Sequence, residues 1–350
     1  MESTPTETLT RPASLHDVAR TAGVSASTVS RYLSGQLPLR ADTETRIREA
    51  ITQLGYAPSR TKLAKASSAK SDAPSLTVGV IIPHLGDGYF GPIADEIVAA
   101  AEAQGWAVLV AASFSHKRRE ASYLDLMSSL SVDGVIFAGN FASNPTLGRV
   151  ISSGMPVVVI DEAISELPPV DMVLVDDYAG AYHATTHLAS LGHKSIALVT
   201  GPRNLHSVKE RSRGYRDALK RVGIDPGTQF VSHGDFSEEF GAAALSHVLS
   251  SEHRPTAVFA ASDTIALGMM RAARGLGIHI PENLSLVGFD DAPSAGLVTP
   301  RLTTVRTAVD KLAASAVALL TERMHDPTRS AETRIVSVSL VEGDSAQPLN

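Results

Sequence analysis

From Ser14 the apolar positions recur every three to four residues. Leu15, Val18 and Ala19 share one helical face, Ala22-Gly23-Val24 interrupts the pattern after about two turns, and Val29 and Leu33 follow four apart. Ser14 and Asp17 have the spacing of a capping box, in which each side chain satisfies an orphan amide at a helix start. Gly23 suits the positive φ of a tight corner, and Ser25 can cap the helix beyond it. A third helix is expected from Asp42, with Ile47, Ile51 and Leu54 on its inner face. Two short helices across a Gly turn form a helix-turn-helix, and the third closes a small core, giving an all-α head over residues 13–58.

From residue 76 the pattern changes. Apolar runs over 76–83, 106–112, 133–138, 156–162, 172–177, 195–201, 256–262 and 284–291 read as strands, separated by helical patterns over 90–104, 117–129, 178–191, 207–222, 237–251 and 263–274. Continuous apolar strands alternating with helices form parallel sheets covered on both faces. This many strands suits two lobes better than one, so residues 76–345 are expected to form an α/β body of two parallel-sheet lobes. The stretch between head and body, 59–75, ends in small polar residues and proline and reads as hinge and linker.

Charge divides along the same line. The net charge of −6 is the sum of +4 over residues 1–70 and −10 over the remainder, which suits a polyanion-binding head on a non-binding body. With 43% apolar and 19% charged residues the chain is globular rather than disordered,. It has no cysteine, hence no disulfide framework or thiolate metal site,. The polar N-terminus lacks the apolar core of an export signal, and no apolar run is long enough to span a membrane, so the cytoplasm is expected.

Ligands of open parallel sheets sit beyond the carboxyl ends of strands. That rule nominates Tyr89 and Phe90 after the first run, Asp161 after the fourth, Ser262 and Asp263 after TAVFAAS, and Asp290 after LSLVGF. A carboxylate there can accept hydrogen bonds from ligand hydroxyls, and an aromatic ring can cover a sugar or base. The competing role for such an Asp is to cap the next helix, and Asp263 before IALGMM fits that role best. No P-loop, nucleophile elbow or dinucleotide fingerprint appears. His183 and His187 have a zinc-compatible spacing but no third ligand, so no catalytic group, metal or cofactor is expected.

The stretch DVARTAGVSASTVSRYLSG followed by TRIREAITQLGYAP closely resembles the DNA-binding head of the LacI/GalR family of bacterial repressors. The body resembles that family's sensor domain through VGVIIP, YLDLMSSLSVDGVIFAG, HLASLGHKSIALVTGP, ERSRGY, RPTAVFAASDTIALG and LSLVGFDD, and through it the periplasmic sugar-binding proteins. The resemblance implies a lobe of residues 76–175 with 307–335 and another of 176–306 with 336–345. It implies DNA contacts from Ser25, Ala26, Ser27, Thr28, Ser30 and Arg31, with Ala26 and Ser27 choosing the operator, and from Tyr56, Arg60 and Leu63. The family inserts a leucine into the minor groove seven residues past the proline of its hinge; here that place is Lys65, and Lys62 replaces a usual alanine, so either Leu63 serves as the wedge in a shifted register or the segment 59–70 binds the backbone mainly by charge. Effector contacts carried over by position are Tyr89, Phe90, Asp161, Ser207, Arg211, Phe236, Ser262 and Asp290. Leu205 and Ser207 stand where purine-sensing relatives have arginine and threonine, which leaves a sugar, polyol or nucleoside as the expected effector. A homodimer on a pseudo-palindromic operator follows, with effector closing the lobes to alter operator affinity. The rival reading is a stand-alone sugar-binding protein whose basic head is incidental.

Overall fold

A computed structural model of the chain describes residues 14–33, 41–54 and 76–349. The chain forms two compact units, residues 1–73 and 74–350. Tyr56, Arg60, Leu63, Lys62, Lys65, the linker and the side chain of Leu33 lie outside the described residues.

The head consists of α1 (Leu15–Ala22), α2 (Ala26–Leu33) and α3 (Ala41–Leu54). The capping box forms: the Ser14 amide donates to Asp17 at 2.9 Å and the Asp17 amide to the Ser14 hydroxyl at 3.3 Å. Gly23 ends α1 at φ +64°, so the backbone turns sharply enough to bring α2 back across it. Val18, Ala19, Ala22, Val29, Ile47 and Ala50 are buried together, with Leu15, Val24, Tyr32, Ile51 and Leu54 packed around them. Ala26, placed outward by its spacing, is half-buried against this core.

The body holds strands β1 (Leu76–Ile82), β2 (Trp106–Ala112), β3 (Gly134–Phe137), β4 (Val157–Asp161), β5 (Asp171–Val175), β6 (Ile196–Thr200), β7 (Val231–His233), β8 (Ala257–Ala260), β9 (Ser285–Val287), β10 (Thr304–Thr307), β11 (Thr333–Val336) and β12 (Val338–Val341). Its helices are α4 (Phe90–Glu102), α5 (Lys117–Ser129), α6 (Pro145–Ser152), α7 (Asp177–Ser190), α8 (His206–Arg221), α9 (Glu238–Ser250), α10 (Asp263–Gly275) and α11 (Val309–His325). A six-stranded parallel sheet runs β11-β5-β4-β3-β1-β2 and a four-stranded parallel sheet runs β7-β6-β8-β9. β10 and β12 pair antiparallel as a separate ribbon. The chain therefore visits the six-stranded sheet, builds the smaller one, and returns to the first through α11 and β11 before ending on β12.

The eight apolar runs all become strands, and both faces of each sheet are covered except at edge strands such as β2, whose middle residues are exposed. One core runs through both lobes, from Val80 and Ile160 to Phe259 and Phe289, while separate clusters fill the outer faces of the two sheets. The helix start at Lys117 is as read, and Glu120 in its first turn is 1% exposed and accepts from the Asn144 amide at 2.8 Å.

Helix α8 lies unusually close to α7. A Cβ on Gly214 would collide with the Tyr178 carbonyl oxygen and approach the Tyr182 amide nitrogen to 3.0 Å. Gly214→Ala is expected to push the helices apart and destabilise the body by about 1–3 kcal/mol, read from chemical unfolding. An unchanged midpoint would mean that the helices yield freely.

Candidate DNA-binding face and effector site

In the head, α2 carries the candidate DNA contacts. Ser25 caps it, its hydroxyl accepting from the Thr28 amide at 3.1 Å and lying 2.8 and 2.7 Å from the hydroxyls of Ser27 and Thr28. Ser25, Ser27 and Arg31 are exposed, and Thr28 and Ser30 half-buried. With Val29 buried on the opposite face, the helix presents short polar side chains beside one cation. Such a surface can lie against phosphates and base edges without steric conflict.

In the body, a cluster forms where the two sheets' strand ends meet. Its centre is Arg211 on α8, which sequence spacing alone would leave on a solvated face with Lys209, Glu210 and Arg213; it is 4% exposed. Its Nε donates to Asp177 at 2.7 Å, an Nη to the Ala261 carbonyl, and its guanidinium stacks 3.7 Å from the centroid of the Phe289 ring. Asp290 stands 3.9 Å from the same Nη. The Asp290 carboxylate is 9% exposed and accepts no hydrogen bond among the described residues, nor does the second Nη of Arg211 donate one. From the other lobe, the Tyr89 hydroxyl donates to Asp161 at the end of β4. Next to it Glu162 reaches across to the start of α8, accepting from the His206 and Ser207 amides and, at 2.6 Å, from the Ser207 hydroxyl.

Electrostatics here are unbalanced. Asp161, Asp177 and Asp290 lie about one guanidinium, with Glu162 adjoining, and burial raises the pKa of all four carboxylates. Asp161 is pushed up to about 6 and Glu162 to about 7. For Asp290 burial dominates and Arg211 opposes it; the same holds for Asp177. Although burial disfavours the charged guanidinium, Asp177 and Asp290 together hold Arg211 above its ordinary pKa,. Asp161 and Asp290 also hold φ of +70° and +114°. Backbone strain of this kind costs about 1–3 kcal/mol per residue and persists where the surroundings over-determine it, commonly at functional sites.

Of the residues nominated from sequence, the structure brings Tyr89, Asp161, Ser207, Arg211 and Asp290 together through these contacts. Phe90 starts α4 with its ring buried in the core, edge-on to Tyr89 at 5.1 Å. Phe236 lies across Gly201 at the end of β6. Ser262, rather than Asp263, takes the capping role. Ser262 is extended at φ −162° and its short hydroxyl accepts from the Ile265 amide, so it is the cap. Asp263, one residue inside the helix, is fully buried and accepts from the Ala292 amide and from Thr304 at 2.6 Å. Asp177 and Glu162 were missed, although each is the last residue of an apolar run and the strand-end rule reaches both. His183 and His187 join no metal-binding group among the described residues.

Two family models match the chain: bacterial regulatory proteins of the lacI family over residues 14–59, and a periplasmic binding protein-like domain over residues 185–346. Catabolite control protein A of Priestia megaterium is 31% identical over 318 residues, covering 90% of this chain and 93% of that protein. A transcriptional regulator CelR–cellobiose complex superposes with a TM-score of 0.71 at 28% identity, covering 95% of this chain and 100% of the other. The lac repressor dimer bound to operator and an anti-inducer superposes with a TM-score of 0.71 at 27% identity, covering 96% and 100%. With its helix-turn-helix head and two-lobed body aligned almost end to end with such regulators, the chain belongs to the LacI family of bacterial regulatory proteins.

Proposed function

We propose that the protein is a cytoplasmic, homodimeric transcriptional repressor whose operator affinity is set by a neutral polyhydroxylated effector, a sugar, polyol or nucleoside, held at the Arg211 cluster. The observation that carries this reading is the pairing of Arg211 and Asp290. A guanidinium and a carboxylate, both nearly buried and 3.9 Å apart, each keep hydrogen-bonding capacity that no described residue uses. A ligand with adjacent hydroxyls can accept from one and donate to the other. Asp161, Asp177 and Asp290 beside the guanidinium disfavour a phosphate or carboxylate ligand, which favours a neutral effector,. The CelR structure holds a sugar, cellobiose.

Closure is supported by the contacts that cross between lobes, Glu162 to the start of α8 above all. A ligand that bridges Asp161 and Asp290 binds the closed arrangement better than the open one and so shifts the equilibrium between them. Dimerisation is supported by the operator-bound dimer of the lac repressor. On this chain β2, an edge strand of the six-stranded sheet, exposes Leu109 and Val110. No helix among the described residues is long and apolar enough to cross a membrane.

A thermal-shift screen of sugars, polyols and nucleosides tests the effector, since a ligand specific for the folded state raises its melting temperature. The reading fails if none stabilises the wild-type chain. For the head, Arg31→Ala is expected to weaken operator binding about tenfold and lower the salt slope by about one counterion. Ligand binding should not change. Fluorescence anisotropy across a salt series checks both parts, and equal loss of ligand binding would contradict the division of labour.

A further inference from the structure

A second cavity, of about 450 Å3, opens between α8 and the edge strand β7, on the side of the helix away from the Arg211 cluster. Its apolar lining comes from Leu198 on β6, from Val208 and Tyr215 on α8, and from Val231 on β7. Arg203, Lys209 and Arg216 line it as well, with His233 beside them, and no acidic residue does. In a body of net charge −10 this is an unusual local excess of positive charge.

None of the three cations is neutralised. Among the described residues Arg203 and Lys209 make no side-chain hydrogen bond or ion pair, and Arg216 donates only to the Ser212 carbonyl at 3.0 Å. The nearest acids on the helix are engaged elsewhere: Glu210 pairs with Arg213, and Asp217 accepts from Tyr178 and faces Lys220 at 3.7 Å. Arg203 and Arg216 act on a common space: burial is what chiefly disfavours protonation of His233, and both charges add to it. The cavity is also lined by Ser212, whose hydroxyl is buried without a hydrogen-bond partner. A buried hydroxyl left unpaired costs free energy.

We propose that this cavity is a second ligand site, for a small organic anion. Its ring or chain lies along Val231 and Pro226, over the buried floor of Leu198, Val208 and Tyr215, and its phosphate or carboxylate is held by Arg203, Lys209 and Arg216. The Arg211 cluster, crowded with carboxylates, rejects such a ligand, so the two sites differ in charge preference. They nevertheless share α8: residues 208, 209, 212, 215 and 216 face the cavity, whereas 207 and 211 face the cluster.

Isothermal titration of the full chain with phenyl phosphate, phenylacetate and benzyl alcohol tests the assignment. At millimolar concentration or below, one or both anions should bind with one site per chain, and the uncharged alcohol at least tenfold more weakly. Which anion binds more tightly identifies the head group as phosphate or carboxylate. The double variant Arg203→Glu/Arg216→Glu alters only exposed side chains and should keep the wild-type melting temperature while weakening the anion at least tenfold. Arg221→Glu, at the end of the same helix and outside the cavity, should stay within about twofold of wild type, because a distant exposed charge is screened. The proposal is overturned if neither anion binds, if benzyl alcohol binds as tightly as the anions, or if the double variant binds them as wild type does.

Discussion

Replacing Arg211 by alanine is expected to abolish the effector response and to lower the melting temperature of the body by on the order of 10 °C. The side chain is 4% exposed, and its guanidinium lies among the carboxylates of Asp161, Asp177 and Asp290. Removing one partner of a buried ion pair strands the other's charge, at a cost of about 3–5 kcal/mol. The loss should depend on pH. The carboxylates of the cluster already have raised pKa values, Asp161 at about 6, so the folded state binds their protons more tightly than the unfolded state does. The stability they cost is fully expressed above the folded pKa values and disappears as pH falls toward the unfolded ones. Without Arg211 this burden grows, so the gap between variant and wild type should be widest near pH 8 and narrower near pH 5. Arg211→Lys keeps the charge but not the planar fork. It should recover much of the melting temperature while effector binding stays at least tenfold weaker. A variant that melts like wild type and still responds to effector would remove Arg211 from the site.

Ile47→Ala should produce the opposite division. Ile47 is fully buried in a small core, six buried side chains among the described residues. A large-to-small change there costs about 2–5 kcal/mol, comparable to all the stability that a domain of this size has. The head is then largely unfolded, and operator affinity should fall at least a hundredfold, measured by anisotropy. The body, a separate compact unit, should keep its melting transition and its ligand-induced shift. A body that melts earlier in Ile47→Ala would show that head and body fold together.

The parts of this architecture that were legible in the sequence are those where burial is one-sided or complete. β1, β4 and β6 are nearly continuous apolar runs because helices cover both faces of their sheets, and α1 could be placed to the residue from Ser14, Asp17 and Gly23. β7, β10, β11 and β12 escaped notice because each has three or four residues and a mixed face. Ile335 in β11 is 66% exposed, and β10 and β12 pair with each other outside the two sheets. Among helices, α6 and α11 were not anticipated; α11 is rich in alanine, so its core face differs little in size from the rest. The strand-end rule found Asp161 and Asp290 from position alone. Arg211 needed the family resemblance, because nothing in its helix distinguishes a buried arginine from its exposed neighbours Lys209 and Arg213. Its burial depends on Asp177, Ala261 and Phe289, which the fold brings to it from 34, 50 and 78 residues away.

If α2 reads a specific duplex on behalf of a dimer, in vitro selection by the whole chain from a pool of randomised duplexes should enrich one pseudo-palindrome, its two half-sites related by a two-fold axis, and Ile47→Ala should lose that enrichment. Recovery of a pool no different from the input, at a salt concentration where the wild-type protein is folded and retained, would contradict that role of α2.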